Sequence, residues 1–241
     1  FEKFIRSNNY DLIFFLSPTK YIEYCGECNF IVNLFDFNHR IENSFPEYRK
    51  GGIIEETDSI IFTCVKKAFK IFVNSSEAKK DLKEIFRCPD NKISLLNYYS
   101  NLINLHKETK QNEISRQNLE NKFFNLGFRK NENIFFYPAQ FWPHKNHKYL
   151  IDVAKILCEK KIKFQFIFCG AKKFNHDYIV NQIEINKLQS KIIIFDYLED
   201  LEIIFLYLNC LAVIMPTYVG RSSLPLIESF YFKKTIFYSK G

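Results

Sequence analysis

The stretch NIFFYPAQFWPHKNHKYLIDVAKIL, residues 133–157, decides the fold. It opens on an apolar run without alternation, which reads as a strand buried on both faces. It closes on Leu150, Val153, Ala154 and Leu157, spaced as one face of a helix. The run FQFIFCG, residues 164–170, then supplies a second strand, completing a strand–helix–strand unit. Between strand and helix, residues 137–147 hold the single Trp of the chain, two prolines, two histidines and a lysine.

The alternation continues downstream. A helix is expected at 176–189, a strand in KIIIF, a helix in DLEIIFLYL, a strand in LAVIMPT, a helix in LPLIESFYF and a strand in TIFYS. Upstream, DLIFFL, FIVNLF, KIFVNS and KISLL read as strands. The segment SSEAKKDLKEIF reads as a helix, with Ser75 or Ser76 as N-cap and Leu82, Ile85 and Phe86 on one face. Residues 97–133 are polar, with one helical piece near 115–126 ending at Gly127. The fold class expected is α/β, with two Rossmann-like, doubly wound parallel-sheet domains and a cleft between them. Residues 1–110 form the first domain, 111–133 the linker region and 134–241 the second domain. The chain starts at Phe1 and stops just after a strand, so both domains are expected to be incomplete.

The chain has 241 residues, 47% hydrophobic and 25% charged, which suits a packed core and excludes a disordered tail. The formal charge of +7 suits an anionic ligand or a membrane surface. The basic residues are not concentrated and no aromatic–basic motif appears, so no nucleic-acid role is expected. Seven scattered cysteines, several inside apolar runs, indicate a reducing compartment rather than a disulfide framework. The one Cys-x-x-Cys, Cys25 to Cys28, lacks a second pair and reads as a loop before a strand. No signal peptide is visible. The longest apolar run, residues 203–215, is too short to span a membrane and reads as a helix end followed by a buried strand.

Ligands of parallel sheets bind where the strands end, so the loops there carry the chemistry. The loop after the 133–138 strand holds Gln140, Trp142, His144, Lys145 and His147 ahead of a helix N-terminus. Two readings stand: a phosphate seat on Lys145 and the helix start, or a packed loop with a solvent-facing lysine. His144 and His147 have no carboxylate or cysteine close by in sequence, which argues against a metal. The loop TYVGRSSLPLIESF offers Gly220 for a tight turn, Arg221 as a charge, Ser222 and Ser223, and a helix start at Leu224 and Pro225. Glu228 follows in apolar company and needs a partner, either sugar hydroxyls or a structural contact.

The stretch from YPAQFWPHKNHKYLIDVAKIL through FIFCG to IIIFDYLEDLEIIFLYLNCLAVIMPTYVGRSSLPLIESFYFKKTIFYS resembles the carboxyl-terminal domain of family-4, or group 1, glycosyltransferases. FDFNHRIENSFPEYRKG and AFKIFVNSSEAKKDL resemble elements of that family's first domain. The resemblance implies the GT-B fold and retaining transfer of a sugar from a nucleoside-diphosphate sugar to a hydroxyl of a glycan or lipid-linked acceptor. Lys145 matches the lysine on the donor diphosphate. Gln140 falls where many members have arginine, and Arg221 is a candidate to supply the missing charge. Glu228 matches the ribose-binding glutamate, while Gly220 falls where the family's other glutamate stands. The loop Gly220 to Leu224 would then hold donor by backbone N–H groups. Phe195, Tyr197 and their neighbours match the segment flanking the base. Asp36 and His39 fall near the family's His–Asp pair, with Phe35 in the histidine's usual place, and are the catalytic candidates. The resemblance implies no metal and no cofactor beyond the donor. The scattered cysteines point to a cytoplasmic location, and the formal charge of +7 suits peripheral contact at the inner face of the membrane. The departures at Gln140 and Gly220 keep a second reading open, a GT-B module that binds donor without transfer. A third is a GT-B-like sugar-nucleotide epimerase.

Overall fold

A computed structural model of the chain describes residues 1–26, 28–97, 99–109, 113–220 and 223–239. The chain divides into two compact units: Phe1–Tyr98 with Gly220–Ser222, and Tyr99–Val219 with Ser223–Gly241.

The first unit runs α1 (Glu2–Ser7), β1 (Leu12–Phe15), β2 (Asn29–Leu34), α2 (Asn38–Ile41), α3 (Pro46–Arg49), α4 (Ile53–Lys67), β3 (Lys70–Val73), α5 (Ser76–Phe86) and β4 (Ile93–Leu95). Its strands lie parallel in the order β1-β2-β3-β4. Phe30, Val32, Leu34, Ile71 and Val73 make the sheet's share of the core. Helix α5 starts where the sequence says: Ser75 accepts from the Ala78 amide at 3.0 Å, and Ala78, Leu82 and Phe86 are buried. It stops at Arg87, which adopts a left-handed φ of 52°. All seven cysteines are free thiols, and Cys25, Cys64, Cys88, Cys169 and Cys210 pack as small hydrophobes in the interior. Burial pushes the Cys64 thiol up to about 12, which keeps it protonated and unreactive.

The second unit runs α6 (Asn101–Thr109), α7 (Glu113–Asn125), β5 (Asn133–Pro138), α8 (His147–Glu159), β6 (Phe164–Cys169), α9 (His176–Ile185), β7 (Ile192–Phe195), α10 (Asp200–Asn209), β8 (Ala212–Met215), α11 (Leu224–Tyr231) and β9 (Thr235–Tyr238). Its five strands are all parallel, in the order β7-β6-β5-β8-β9. Every residue of β6 is buried, as its unalternating sequence requires. Helix α10 carries a capping box in which Glu199 and Glu202 each serve the other's backbone amide. Helix α9 ends at Ile185, short of the expected 189, because Lys187 takes a left-handed φ of 55°.

The polar segment read as a connector contains two helices that pack on this second core. Phe123 of α7 is fully buried and stacks on Phe205 at 4.8 Å, and Leu102 of α6 is buried in the same cluster. Helix α7 falls where a helical piece was expected, while polarity hid α6, which commits only a few apolar residues to the core. An aromatic side chain fully buried contributes roughly 1.5–3 kcal/mol, enough for one Phe to dock an otherwise polar helix.

Beyond their last residues β5 and β6 stay in close contact. A Cβ on Gly170 would lie 2.3 Å from the Ala139 carbonyl oxygen and 2.7 Å from the Gln140 amide nitrogen, both backbone atoms. Replacing Gly170 by Ala is expected to cost about 1–3 kcal/mol, the range for overpacking, read as a lower urea midpoint. Gly220→Ala, where a Cβ meets nothing within 4 Å, serves as the control and should leave that midpoint unchanged.

Candidate functional site

In the second sheet the chain steps outward from β5 to β6 and β7, then returns to the other side of β5 for β8 and β9. The loops leaving β5 and β8 therefore start where the strand order reverses, which is where such sheets bind ligands. These are the two loops singled out from the sequence.

They are stitched together. The Tyr218 amide donates to the His144 carbonyl at 2.9 Å. Asn146 Nδ2 donates to the Pro216 carbonyl at 3.2 Å. Thr217 Oγ1 donates to the Val219 carbonyl at 2.9 Å, with the His144 carbonyl 3.3 Å away. From below, the Tyr137 hydroxyl donates to the Lys145 carbonyl at 2.6 Å. Pro143 opens a 3-10 turn, Pro143–Lys145, and Asn146 closes it with a left-handed φ of 57° before α8 begins. Lys145 thus stands on a fixed backbone at the N-terminal end of a 13-residue helix. Beside it a pocket of about 380 Å³ is lined by Asn146, Tyr149, Thr217, Tyr218, Phe237 and Tyr238.

On the other flank, the loop after β5 is zipped to the loop after β6. Ala139 N donates to Cys169 O at 2.8 Å, Phe141 N to Ala171 O at 3.3 Å and Asn175 N to Phe141 O at 3.0 Å. Gln140 is exposed, and its side-chain oxygen accepts from Trp142 Nε1 at 2.9 Å. Lys173 Nζ sits 5.4 Å from the centre of the Trp142 ring.

His147 is a core residue. Its ring is wholly buried, stacked on Phe141 at 4.4 Å and against Tyr137 and Phe168 at 4.7 and 5.3 Å. Among the described residues neither ring nitrogen has a well-formed hydrogen bond, the Ala139 backbone being the polar group that faces the ring. Burial pushes its pKa down to about 3, aided by nearby cationic groups and only partly opposed by the Ala139 backbone. Among the described residues no group of three or more His, Cys, Asp or Glu could hold a metal.

The remaining candidates of the second unit fall as follows. Phe195 ends β7 and packs edge-on to Phe123 at 5.6 Å, so its ring belongs to the core. Tyr197, in the next loop, is 80% exposed. Between them Asp196 is held by His176 Nε2 at 3.1 Å and Lys172 Nζ at 2.9 Å. Ser223 and Leu224 stand at the start of α11, with Ser223 Oγ 3.8 Å from Met215 Sδ. Gly220 is exposed, has no left-handed φ and leaves room for a Cβ. Arg221 and Ser222 lie outside the described residues. Glu228 is buried, and its partners are hydroxyls rather than cations: Ser100 Oγ donates to one oxygen at 2.7 Å and Tyr207 Oη to the other at 2.6 Å. Burial, with the Glu228 charge beside it, raises the Tyr207 pKa well above its ordinary value and keeps that hydroxyl a donor.

In the first unit, Asp36 and His39 occupy the turn after β2. Asp36 Oδ1 accepts from the Asn38 amide at 3.1 Å, a local turn bond. His39 is buried, with Nε2 3.0 Å from Asp58 Oδ1, and Arg40 pairs with the other Asp58 oxygen. Sequence reasoning missed Asp58. The signal was there: a carboxylate on the face of α4 that also buries Ile61 and Cys64 needs a partner. Thr217, Asn146, Ser100 and Tyr207 were also missed, because their partners are far away in sequence.

The family model described as glycosyl transferases group 1 matches residues 118–240, just over half of the chain. The chain belongs to that family. The match takes in α10, α11 and all five strands of the second unit, and both switch-point loops. A search of curated proteins by sequence finds no match. Three solved structures share the fold. A glycosyltransferase from Rickettsia africae ESF-5 is 20% identical, with a TM-score of 0.66 over 98% of this chain and 59% of that one. Anabaena Alr3699/HepE, solved with UDP and glucose, is 16% identical, with a TM-score of 0.69 over 99% and 62%. WaaG, a glycosyltransferase involved in lipopolysaccharide biosynthesis, is 13% identical, with a TM-score of 0.73 over 98% and 61%. The chain thus spans about three fifths of the length of the structures it matches. The GT-B class expected from the sequence is the class of these neighbours. No helix among the described residues is long and apolar enough to cross a membrane.

His147 makes the second unit acid-sensitive. A histidine titrates near 6.5 when unfolded and here only near 3 when folded. The unfolded chain therefore binds the proton first, and stability held above pH 6.5 is lost as pH falls toward 3. Between pH 7 and pH 5 the loss should reach about 2 kcal/mol. His147→Phe, which keeps the ring stack and removes the proton site, should flatten that part of the profile in urea melts.

Proposed function

We propose that the protein transfers a sugar from a nucleoside-diphosphate sugar to a hydroxyl of a glycan or lipid-linked acceptor, with retention at the anomeric carbon. The observation that carries the reading is the placement of Lys145. It stands on a stitched loop at the switch point of the family-matched unit, at a helix N-terminus. A leaving nucleoside diphosphate develops negative charge as the glycosidic bond breaks. A fixed lysine and the free amides of the first turn of α8 stabilise that charge without reorganising. No cofactor enters this reading.

The other site residues have assigned places in it. The exposed Tyr197, on a loop tethered through Asp196, flanks the base. Glu228 takes the ribose hydroxyls through lone pairs that Ser100 and Tyr207 leave unused, since a carboxylate has about four acceptor positions. The backbone amides of Ser223 and Leu224, at the start of α11, contribute donors. His39, oriented by Asp58, and Asp36 are the acceptor-side candidates. HepE carries UDP and glucose, which supports a uridine diphosphate donor, and WaaG acts in lipopolysaccharide synthesis, which supports a glycan acceptor. Peripheral membrane contact suits the formal charge of +7. A second reading, binding without transfer, is favoured by Gly220, which puts no carboxylate where the family has one.

The test is thermal shift against UDP, GDP, ADP, CDP and dTDP, for the native protein and for Lys145→Ala. One nucleotide at ~100 times its dissociation constant should stabilise by about 2.7 kcal/mol, and Lys145→Ala should lose most of that shift. No shift with any nucleotide in a cooperatively folding protein would overturn the reading. A shift without sugar release from the matching donor would select the non-transferring module.

A further inference from the structure

The loops leaving β5 and β6 form one ribbon, closed by three backbone hydrogen bonds and by the close approach at Gly170. Residues 139–146 and 170–175 carry Lys145, Lys172 and Lys173 and no Asp or Glu. Lys172 is paired with Asp196 at 2.9 Å. Lys173 has no carboxylate partner among the described residues and rests instead over the Trp142 ring at 5.4 Å.

Gln140 completes the arrangement. An indole N–H can only donate, so the oxygen of the Gln140 amide must face Trp142. Its –NH2 group is then turned away from the indole on an exposed residue. The ribbon therefore carries an amide donor and an ammonium that share one tryptophan as their contact. Neither group accepts a hydrogen bond, so the ligand they suit is an anion. A cation over a half-buried ring at 5.4 Å is held less tightly than a cation on a phosphate oxygen, so Lys173 moves readily from the indole to an anion.

We infer that Gln140 Nε2 and Lys173 Nζ form a second anion contact, which grips the diphosphate of the donor from the β6 side while Lys145 holds it from the 3-10 turn. This rests on the reading that the switch-point crevice takes a nucleoside diphosphate. Ionic pairing by Lys173 makes the site prefer diphosphates over monophosphates.

Calorimetric titration with UDP, GDP, ADP, CDP and dTDP and the matching monophosphates tests it, with Trp142 fluorescence as a second readout. Trp142 is the single Trp of the chain, so its emission follows the departure of Lys173 from the ring. For the diphosphate that binds, Lys173→Gln should weaken affinity about tenfold and flatten its salt dependence. The monophosphate should lose much less, and Lys173→Arg should restore both. Native protein should change emission on saturation with that diphosphate. Lys173→Gln binding the diphosphate as tightly as native protein, with Lys145→Ala still impaired, would overturn this inference and leave the donor site standing. Failure of every nucleotide to bind native protein would remove the donor site and this contact together.

Discussion

Strand β5 has β6 on one side and β8 on the other, and the carboxyl edge of the second sheet depends on that placement. A parallel strand flanked by two neighbours is buried on both faces and bonded along both edges. Its Phe136 and Tyr137 have no freedom to turn outward, and Pro138, which has no N–H to donate, closes the strand. The loop that follows leaves from a fixed point. Its first half is bonded to the β6 loop and its second half to the β8 loop. The backbone of Lys145 is thus positioned by these contacts.

The same loop shows how aromatic packing and charge are kept apart. His147 turns its ring into a box of Tyr137, Phe141 and Phe168, where burial keeps it neutral. Two residues earlier, Lys145 is only half-buried, at the end of the 3-10 turn. A reversed arrangement would fail, because an ammonium in that box would carry an unpaid desolvation cost. Glu228 solves the corresponding problem for an anion. It is buried but takes a hydroxyl on each oxygen, and the Tyr207 donor is itself held protonated by burial.

The comparisons and the geometry carry different parts of the functional reading. The family match covers the second unit, where both stitched loops lie. The likeness to solved structures, at 13–20% identity for the three described, speaks to fold alone. What the chain binds is argued from Lys145, the helix start and the exposed donors beside them. In the first unit, Asp58 orients His39 through Nε2, which fixes the ring without telling what the ring acts on.

Sequence by itself determined the strand and helix order, because buried parallel strands are unbroken apolar runs and helices show their 3.6-residue period. It also placed Gln140 and Lys145 in the loop between β5 and α8, since a strand end and a helix start bracket them. Helix α6 escaped it, because Leu102 and Ile103 dock a polar segment with too few apolar residues to show a period, whereas α7 lies where a helical piece was expected. Only the tertiary structure decided the partners: Ser100 with Glu228, Asp58 with His39, Tyr218 with His144, and the Ala139 carbonyl that leaves Gly170 no room for a side chain. Each of these joins residues distant in the chain, through a hydrogen bond or a close approach. Local patterning carries no record of such distances, since they exist only once the sheet has brought its strand ends together.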